Sequence, residues 1–198
     1  MEYKKLLITG FEPFGGETLN ASWEAVDRLP EEIAHYRLTK LQVPTVFGSG
    51  ADKVLDAARM LEPDVILCIG QAGGRMEITP EVIGINLREC SMADNAGNRL
   101  VNSPVLEGGA AAYFATVPVR EMVKEMQKAG IAAALSYSAG TFVCNDLLYT
   151  LLHHYHDTQT LVGFIHVPFL SEQAGEKRCC LPVEDIVTGL SAAVSALP

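Results

Sequence analysis

The sequence predicts an α/β domain built on one core, and three observations carry that reading. Short apolar runs bounded by Gly and Pro alternate with segments of helical period. No internal repeat, low-complexity tract or Pro/Ser-rich linker divides the 198 residues, so residues 1–198 read as a single domain. The chain is 48% hydrophobic and 20% charged, which is enough apolar material to bury a core without a disulfide or metal staple.

The elements follow in order along the chain. Leu6-Leu7-Ile8 predicts a strand over Lys5 to Thr9, ended by Gly10. Asn20 suits the N-cap of a helix over Ala21 to Leu29. A strand over Arg37 to Val43, a helix over Gly50 to Leu61 and a strand over Val65 to Ile69 come next. Ile78 to Leu87 reads as one strand whose alternation puts Glu81 on the face of Ile83, Ile85 and Leu87. A helix over Val119 to Ala129 is stopped by Gly130, and a strand over Ala132 to Tyr137 follows. The last elements are a helix over Asn145 to Tyr155, a strand over Leu161 to Val167 closed by Pro168, and a helix over Val183 to Ala196. Arg88 to Gly109 is the longest stretch without periodicity, and loops of that length are expected to wall or cover a site.

Charge and cysteine content remove several function classes. Fifteen basic residues against 24 acidic ones give a net charge of -9, the wrong sign for a nucleic-acid or anionic-membrane partner. Leu6-Leu7-Ile8 is too short for a signal peptide, and no later run reaches membrane-spanning length, so a cytoplasmic protein is expected. The five cysteines are odd in number and irregular in spacing, which fits reduced thiols better than disulfides or a zinc site. Adjacent Cys179 and Cys180 read as idle thiols. His153, His154 and His156 sit at a helix C-terminus, where cationic rings suit the dipole, so neither metal nor cofactor is expected.

Three residues stand out for chemistry. Cys144 follows a small-residue turn and opens a helix, where unpaired backbone N–H groups favour a thiolate and can hold an oxyanion. Its spacing to Leu148, Leu151 and Leu152 equally fits a buried small hydrophobe. His166, at the carboxyl end of a strand, is a candidate base or a hydrogen-bonded core histidine. Glu81 on an apolar face needs a partner, for which a histidine ring N–H is suitable, unless the strand frays there into water. The turns Gly10 to Gly16 and Gly70 to Arg75 match no phosphate-loop pattern. Phe11, Phe14 and Phe142 suggest a flat, uncharged ligand, with core packing as the alternative for each.

These residues coincide with a known pattern. Thr9 to Gly16 with Asn20 to Trp23, Gly70 to Arg75 with Ile78 to Glu81 and Ile85-Asn86, Asp94 to Gly97, Ser136 to Asn145 and Phe164 to Phe169 together resemble the pyroglutamyl-peptidase I (pyrrolidone carboxyl peptidase) family of cysteine peptidases. The resemblance implies a three-layer α/β/α sandwich of the phosphorylase/hydrolase-like type with a mixed sheet. It implies Cys144 as nucleophile, His166 as base, Glu81 as acidic third member, and a pocket of Phe11, Phe14, Gln71, Phe142 and Val143. The implied partner is a peptide with an N-terminal pyroglutamate, and the implied assembly is a homotetramer. A non-catalytic paralogue that binds such peptides, and a phosphate-using nucleoside enzyme, are the competing readings.

Overall fold

The computed structural model describes residues 3–173 and 179–198. In order, the elements are β1 (Lys4–Phe11), α1 (Ala21–Arg28), β2 (Glu32–Ile33), β3 (Tyr36–Val43), α2 (Ser49–Leu61), β4 (Val65–Gln71), β5 (Thr79–Pro80), β6 (Ile83–Ile85) and β7 (Ala112–Phe114). They continue as α3 (Val119–Lys128), α4 (Val143–Tyr155), β8 (Leu161–Val167), β9 (Phe169–Leu170), β10 (Cys180–Leu181) and α5 (Val183–Ser195).

The main sheet has the order β2-β3-β1-β4-β8-β5. Its four central strands run parallel, while β2 and β5 pair antiparallel at the edges, so the sheet is mixed. Strand alternation sorts the apolar residues into two cores. Leu6, Ile8, Leu67, Ile69, Ile165 and Val167 pack with residues of α1, α3 and α5. Leu7, Ile66, Cys68, Val162 and Phe164 pack on the opposite face with residues of α2 and α4. The result is three layers, helix on sheet on helix. Each fully buried Leu, Ile or Phe in these clusters contributes about 1.5–3 kcal/mol of transfer free energy.

Local signals fix the helix that borders the site. The Asn20 side chain accepts the Ser22 N–H at 3.1 Å and so caps α1. Gly10 lets α1 close on the sheet, since a Cβ there would lie 2.7 Å from the Trp23 backbone. No helix among the described residues is long and apolar enough to cross a membrane.

Two expected strands differ. Ile78 to Leu87 is not one strand: β5 pairs with β8, whereas β6 pairs with β7 in a separate two-stranded ribbon. The switch happens at Glu81, whose N–H donates to Phe164 while that of Val82 donates to Ser136. Alternation therefore does not run through the segment, and Ile83, Ile85 and Leu87 are only half-buried. Ala132 to Tyr137 forms isolated bridges to Ile78 and Glu81 instead of a ladder. The expected wall over Arg88 to Gly109 is a long loop held by its own side chains. Asp94 is buried and accepts the N–H groups of Phe47, Ala96 and Asn98. Asn95 reaches Glu12 and the Pro13 carbonyl, each at 2.9 Å, which ties the loop to the Phe11–Phe14 turn.

Candidate active site

The parallel strands β1, β4 and β8 finish at one edge of the sheet, and α4 begins there. Phe11 and Gln71 end their strands and His166 is one residue from the end of its own, so all three reach the same opening. With Phe14, Asn20, Thr45, Ala139, Phe142, Val143 and Cys144 they line a cavity of about 140 Å³. Its walls are largely aromatic: Phe142 meets Phe14 at 6.2 Å between ring centroids and Phe47 edge-on at 5.3 Å. Among the described residues no acidic side chain lines it.

Cys144 is the second residue of α4. The N-terminal residue Phe142 offers no side-chain cap, so among the described residues the N–H groups of Val143, Cys144 and Asn145 have no capping acceptor, and the first N–H held by the helix is that of Asp146, donating to the Phe142 carbonyl at 3.1 Å. The next two residues anchor this turn. Asn145 is buried and bonds the Ile85 N–H and carbonyl, both at 2.9 Å, while Asp146 accepts the Gly48 N–H at 2.7 Å and Arg88 Nε at 2.6 Å. The thiol lies over Gly70: a Cβ there would come within 3.0 Å of Cys144 Sγ and 2.6 Å of Phe164 Cζ. Gly70 is in turn the ladder partner of His166. Adjacent strands lie about 4.8 Å apart, so thiol and imidazole share one wall of the cavity.

His166 is 4% exposed and its Nδ1 lies 2.7 Å from Glu81 Oε1, with Glu81 itself fully buried. Nδ1 donates to the carboxylate, which leaves Nε2 as the free ring nitrogen. Arg75 donates from Nη1 to the same Glu81 oxygen at 2.9 Å. Among the described residues Glu81 Oε2 is buried without a well-formed hydrogen bond, and the neighbouring Ser136 hydroxyl, which donates to the Ser138 carbonyl at 3.2 Å, still helps to stabilise the carboxylate charge. Burial raises the Glu81 carboxyl, but the opposing bond and charge of His166, then the Ser136 hydroxyl and the Arg75 charge, hold it below the ordinary carboxylate value.

The electrostatics of the thiol differ from the sequence expectation. Burial, and after it the Glu81 charge, pushes Cys144 up to about 12. Desolvation outweighs the helix terminus and favours the neutral thiol at rest, while Cys144 is half-buried and reaches the cavity. Burial likewise lowers His166 below its ordinary value despite Glu81, so the ring is neutral and able to accept a proton.

Every residue expected from the sequence is at or beside this cavity: Phe11, Phe14, Gln71, Phe142, Val143, Cys144 and His166 line it, and Glu81 stands behind the imidazole. Sequence reasoning saw Asn20 only as a cap and missed Thr45 and Ala139. It also left Arg75 without a role. A buried carboxylate favours a cation beside it, and that was the signal available for Arg75. Neither nearby guanidinium points its ion pair at the cavity, since Arg88 is spent on Asp146 and Arg75 on Glu81.

The comparisons agree with this geometry. The model of the family described as pyroglutamyl peptidase matches residues 4–198. A pyrrolidone-carboxylate peptidase of Enterococcus faecalis is 49% identical over 87% of this chain and 82% of its own length. One from Staphylococcus carnosus is 45% identical over 98% of this chain and 92% of its own. The crystal structure of pyroglutamyl peptidase I from Bacillus amyloliquefaciens superposes with a TM-score of 0.95 at 45% identity, covering 100% of this chain and 95% of that one.

Proposed function

Because this chain belongs to the pyroglutamyl peptidase family, we infer that it is a cysteine peptidase that removes an N-terminal pyroglutamyl residue from peptides, and we propose Cys144, His166 and Glu81 as its catalytic groups. The observation that carries the assignment is the buried His166–Glu81 pair, 2.7 Å apart, standing behind an aromatic cavity that also contains the Cys144 thiol.

A pyroglutamyl ring is flat and uncharged, and it carries one lactam carbonyl and one lactam N–H. Phe11, Phe14 and Phe142 give it an apolar slot. Gln71 reads the lactam with a fixed orientation, because its Oε1 already accepts the Ala21 N–H at 2.8 Å and only its amide NH₂ is left to donate.

His166 Nε2 takes the thiol proton as Cys144 Sγ attacks the pyroglutamyl carbonyl carbon. The developing oxyanion is received by the first-turn N–H groups of α4. Imidazolium formed in this step is stabilised by Glu81, which keeps its charge throughout. The ring then protonates the leaving amine, the C–N bond breaks and a thioester remains. Water, deprotonated by His166, attacks the thioester, releasing pyroglutamate and returning the proton to the thiol. Because both partners start neutral, proton transfer accompanies attack and depends on the imidazole–carboxylate pair.

The proposal includes a cytoplasmic site of action, read from the short apolar runs of the sequence, and assembly as a homotetramer, read from the family resemblance. Its test compares kcat/KM of the purified protein on a pyroglutamyl-arylamide and on the open-chain glutaminyl-arylamide. An ammonium group in the aromatic slot finds no carboxylate and costs several kcal/mol. Preference for the cyclised substrate by at least about a hundredfold is expected. Equal kcat/KM on both would overturn the pocket assignment.

A further inference from the structure

We propose that Arg75 is a positioning residue for this reaction: by holding Glu81 and the Ser138 carbonyl in one guanidinium fork, it partly offsets the charge of the carboxylate behind His166 and fixes the place of the turn that leads to Cys144. The inference rests on the catalytic reading of Cys144, His166 and Glu81 given above.

Three contacts define the fork. Nη1 donates to Glu81 Oε1 at 2.9 Å and also touches the Thr79 hydroxyl, while Nη2 donates to the Ser138 carbonyl at 3.2 Å. Ser138 lies in the turn leading to Cys144, and Thr79 pairs with His166 across the β5–β8 ladder. One side chain therefore grips the segments that present the acid, the base and the thiol. It contacts none of the reacting atoms.

The carboxylate makes this grip consequential. Glu81 has no exposure to water, and Oε1 receives both the imidazole and the guanidinium. The bond and charge of His166 are the main supports of the ionised carboxylate, and Arg75, 28% exposed, adds a permanent cation beside it. A lysine keeps the charge but offers no planar fork, so it cannot span both Glu81 and Ser138 in the same geometry.

The sign of the electrostatic effect follows from the layout. The titratable and charged groups facing this centre are Glu81, His166, Cys144 and, packed in the same core, Cys68. Arg75 partly cancels the Glu81 charge, so it disfavours a proton on His166 and favours loss of one from Cys144. Both ionisations move to lower pH because of it. Removing the charge moves both to higher pH, a pattern that loss of packing alone does not produce.

The experiment measures pH profiles of kcat/KM on a pyroglutamyl-arylamide for the unmodified protein, Arg75→Met and Arg75→Lys. It adds the pH dependence of iodoacetamide alkylation at Cys144, followed by mass-spectrometric peptide mapping, which reports that thiol without requiring turnover. For Arg75→Met, both limbs of the activity profile and the alkylation midpoint shift up by about 0.5–1 pH unit, within the range for a nearby charge. For Arg75→Lys, the limbs stay within about 0.3 unit of the unmodified protein, while kcat falls at least about tenfold from loss of the fork. Limbs unmoved or displaced to lower pH in the Met variant, or full kcat in the Lys variant, overturn the proposal. If the unmodified protein fails to hydrolyse the arylamide, the peptidase reading fails, and the alkylation profile alone still decides whether Arg75 governs the thiol. If Arg75→Met does not fold, Arg75→Gln, which keeps a donor without the charge, takes its place in the same two measurements.

Discussion

Replacing Glu81 by glutamine probes the imidazole–carboxylate pair most sharply, because the carboxylate environment determines what an amide does there. Oε1 accepts two donors, His166 Nδ1 at 2.7 Å and Arg75 Nη1 at 2.9 Å, whereas among the described residues Oε2 is buried without a well-formed hydrogen bond. A glutamine with its oxygen toward the two donors leaves its NH₂ in the unpartnered position, an unsatisfied buried donor that costs about 1–3 kcal/mol. With the amide turned the other way, NH₂ faces two donors, which is worse, and the ring is driven into the wrong tautomer. In either orientation the imidazolium loses a charge-assisted bond of about 1.5–3 kcal/mol, or about tenfold to a hundredfold in rate. Steady-state kinetics on a pyroglutamyl-arylamide should show that loss in kcat with KM little changed. Thermal unfolding should fall by about 2–12 °C, since 1 kcal/mol moves a chain of this length by about 2–4 °C. Retention of kcat within about twofold would refute the role assigned to Glu81.

Further consequences are open to the same measurements. Gly70→Ala puts a methyl 2.6 Å from Phe164 Cζ and 3.0 Å from Cys144 Sγ, so the variant should lose about 1–3 kcal/mol of stability and most of its activity; an active, equally stable variant would show that the thiol does not sit on this glycine. Asp146→Ala leaves the Gly48 N–H and the Arg88 guanidinium without their acceptor at the start of α4, and calorimetry should record a loss of about 3 kcal/mol. His166 is held below its ordinary 6.5, so the folded protein resists a proton that the unfolded chain accepts. Stability is therefore complete above about 6.5 and declines as pH falls from there toward the folded-state value, and the acid limb of kcat/KM lies below about 6.5. An acid limb above 7 would contradict the neutral buried ring.

Much of this arrangement was legible in the sequence because the central strands and their helices are periodic. The strand Leu161–Val167 and the helix start at Ala21 fall where the pattern sets them, and Asn20 caps that helix. The segment from Ile78 to Leu87 was misread because its apolar spacing continues while its hydrogen-bond partner changes at Glu81 from β8 to Ser136. Burial of Glu81 was inferred from an alternation that does not exist there, and it arises instead from that change of partner. Pieces as short as Glu32–Ile33, Ala112–Phe114 and Cys180–Leu181 have too few residues to show a period, and only the neighbouring strand defines them. The lowered thiol pKa expected at a helix N-terminus was outweighed by burial, which depends on Phe164, Gly70 and the rest of the sheet rather than on local sequence. Arg75, Thr45 and Asp146 gain their roles through contacts across the fold, such as Asp146 to Gly48, which no local pattern announces.

The central claim is that one thiol among five carries the acyl group. Inactivation with a pyroglutamyl chloromethyl ketone, followed by peptide mapping, tests it most directly. The account predicts stoichiometric label on Cys144, protection by a pyroglutamyl substrate, and no inactivation of Cys144→Ala. Label on Cys68, Cys90, Cys179 or Cys180 with loss of activity, or full activity in Cys144→Ala, would contradict it.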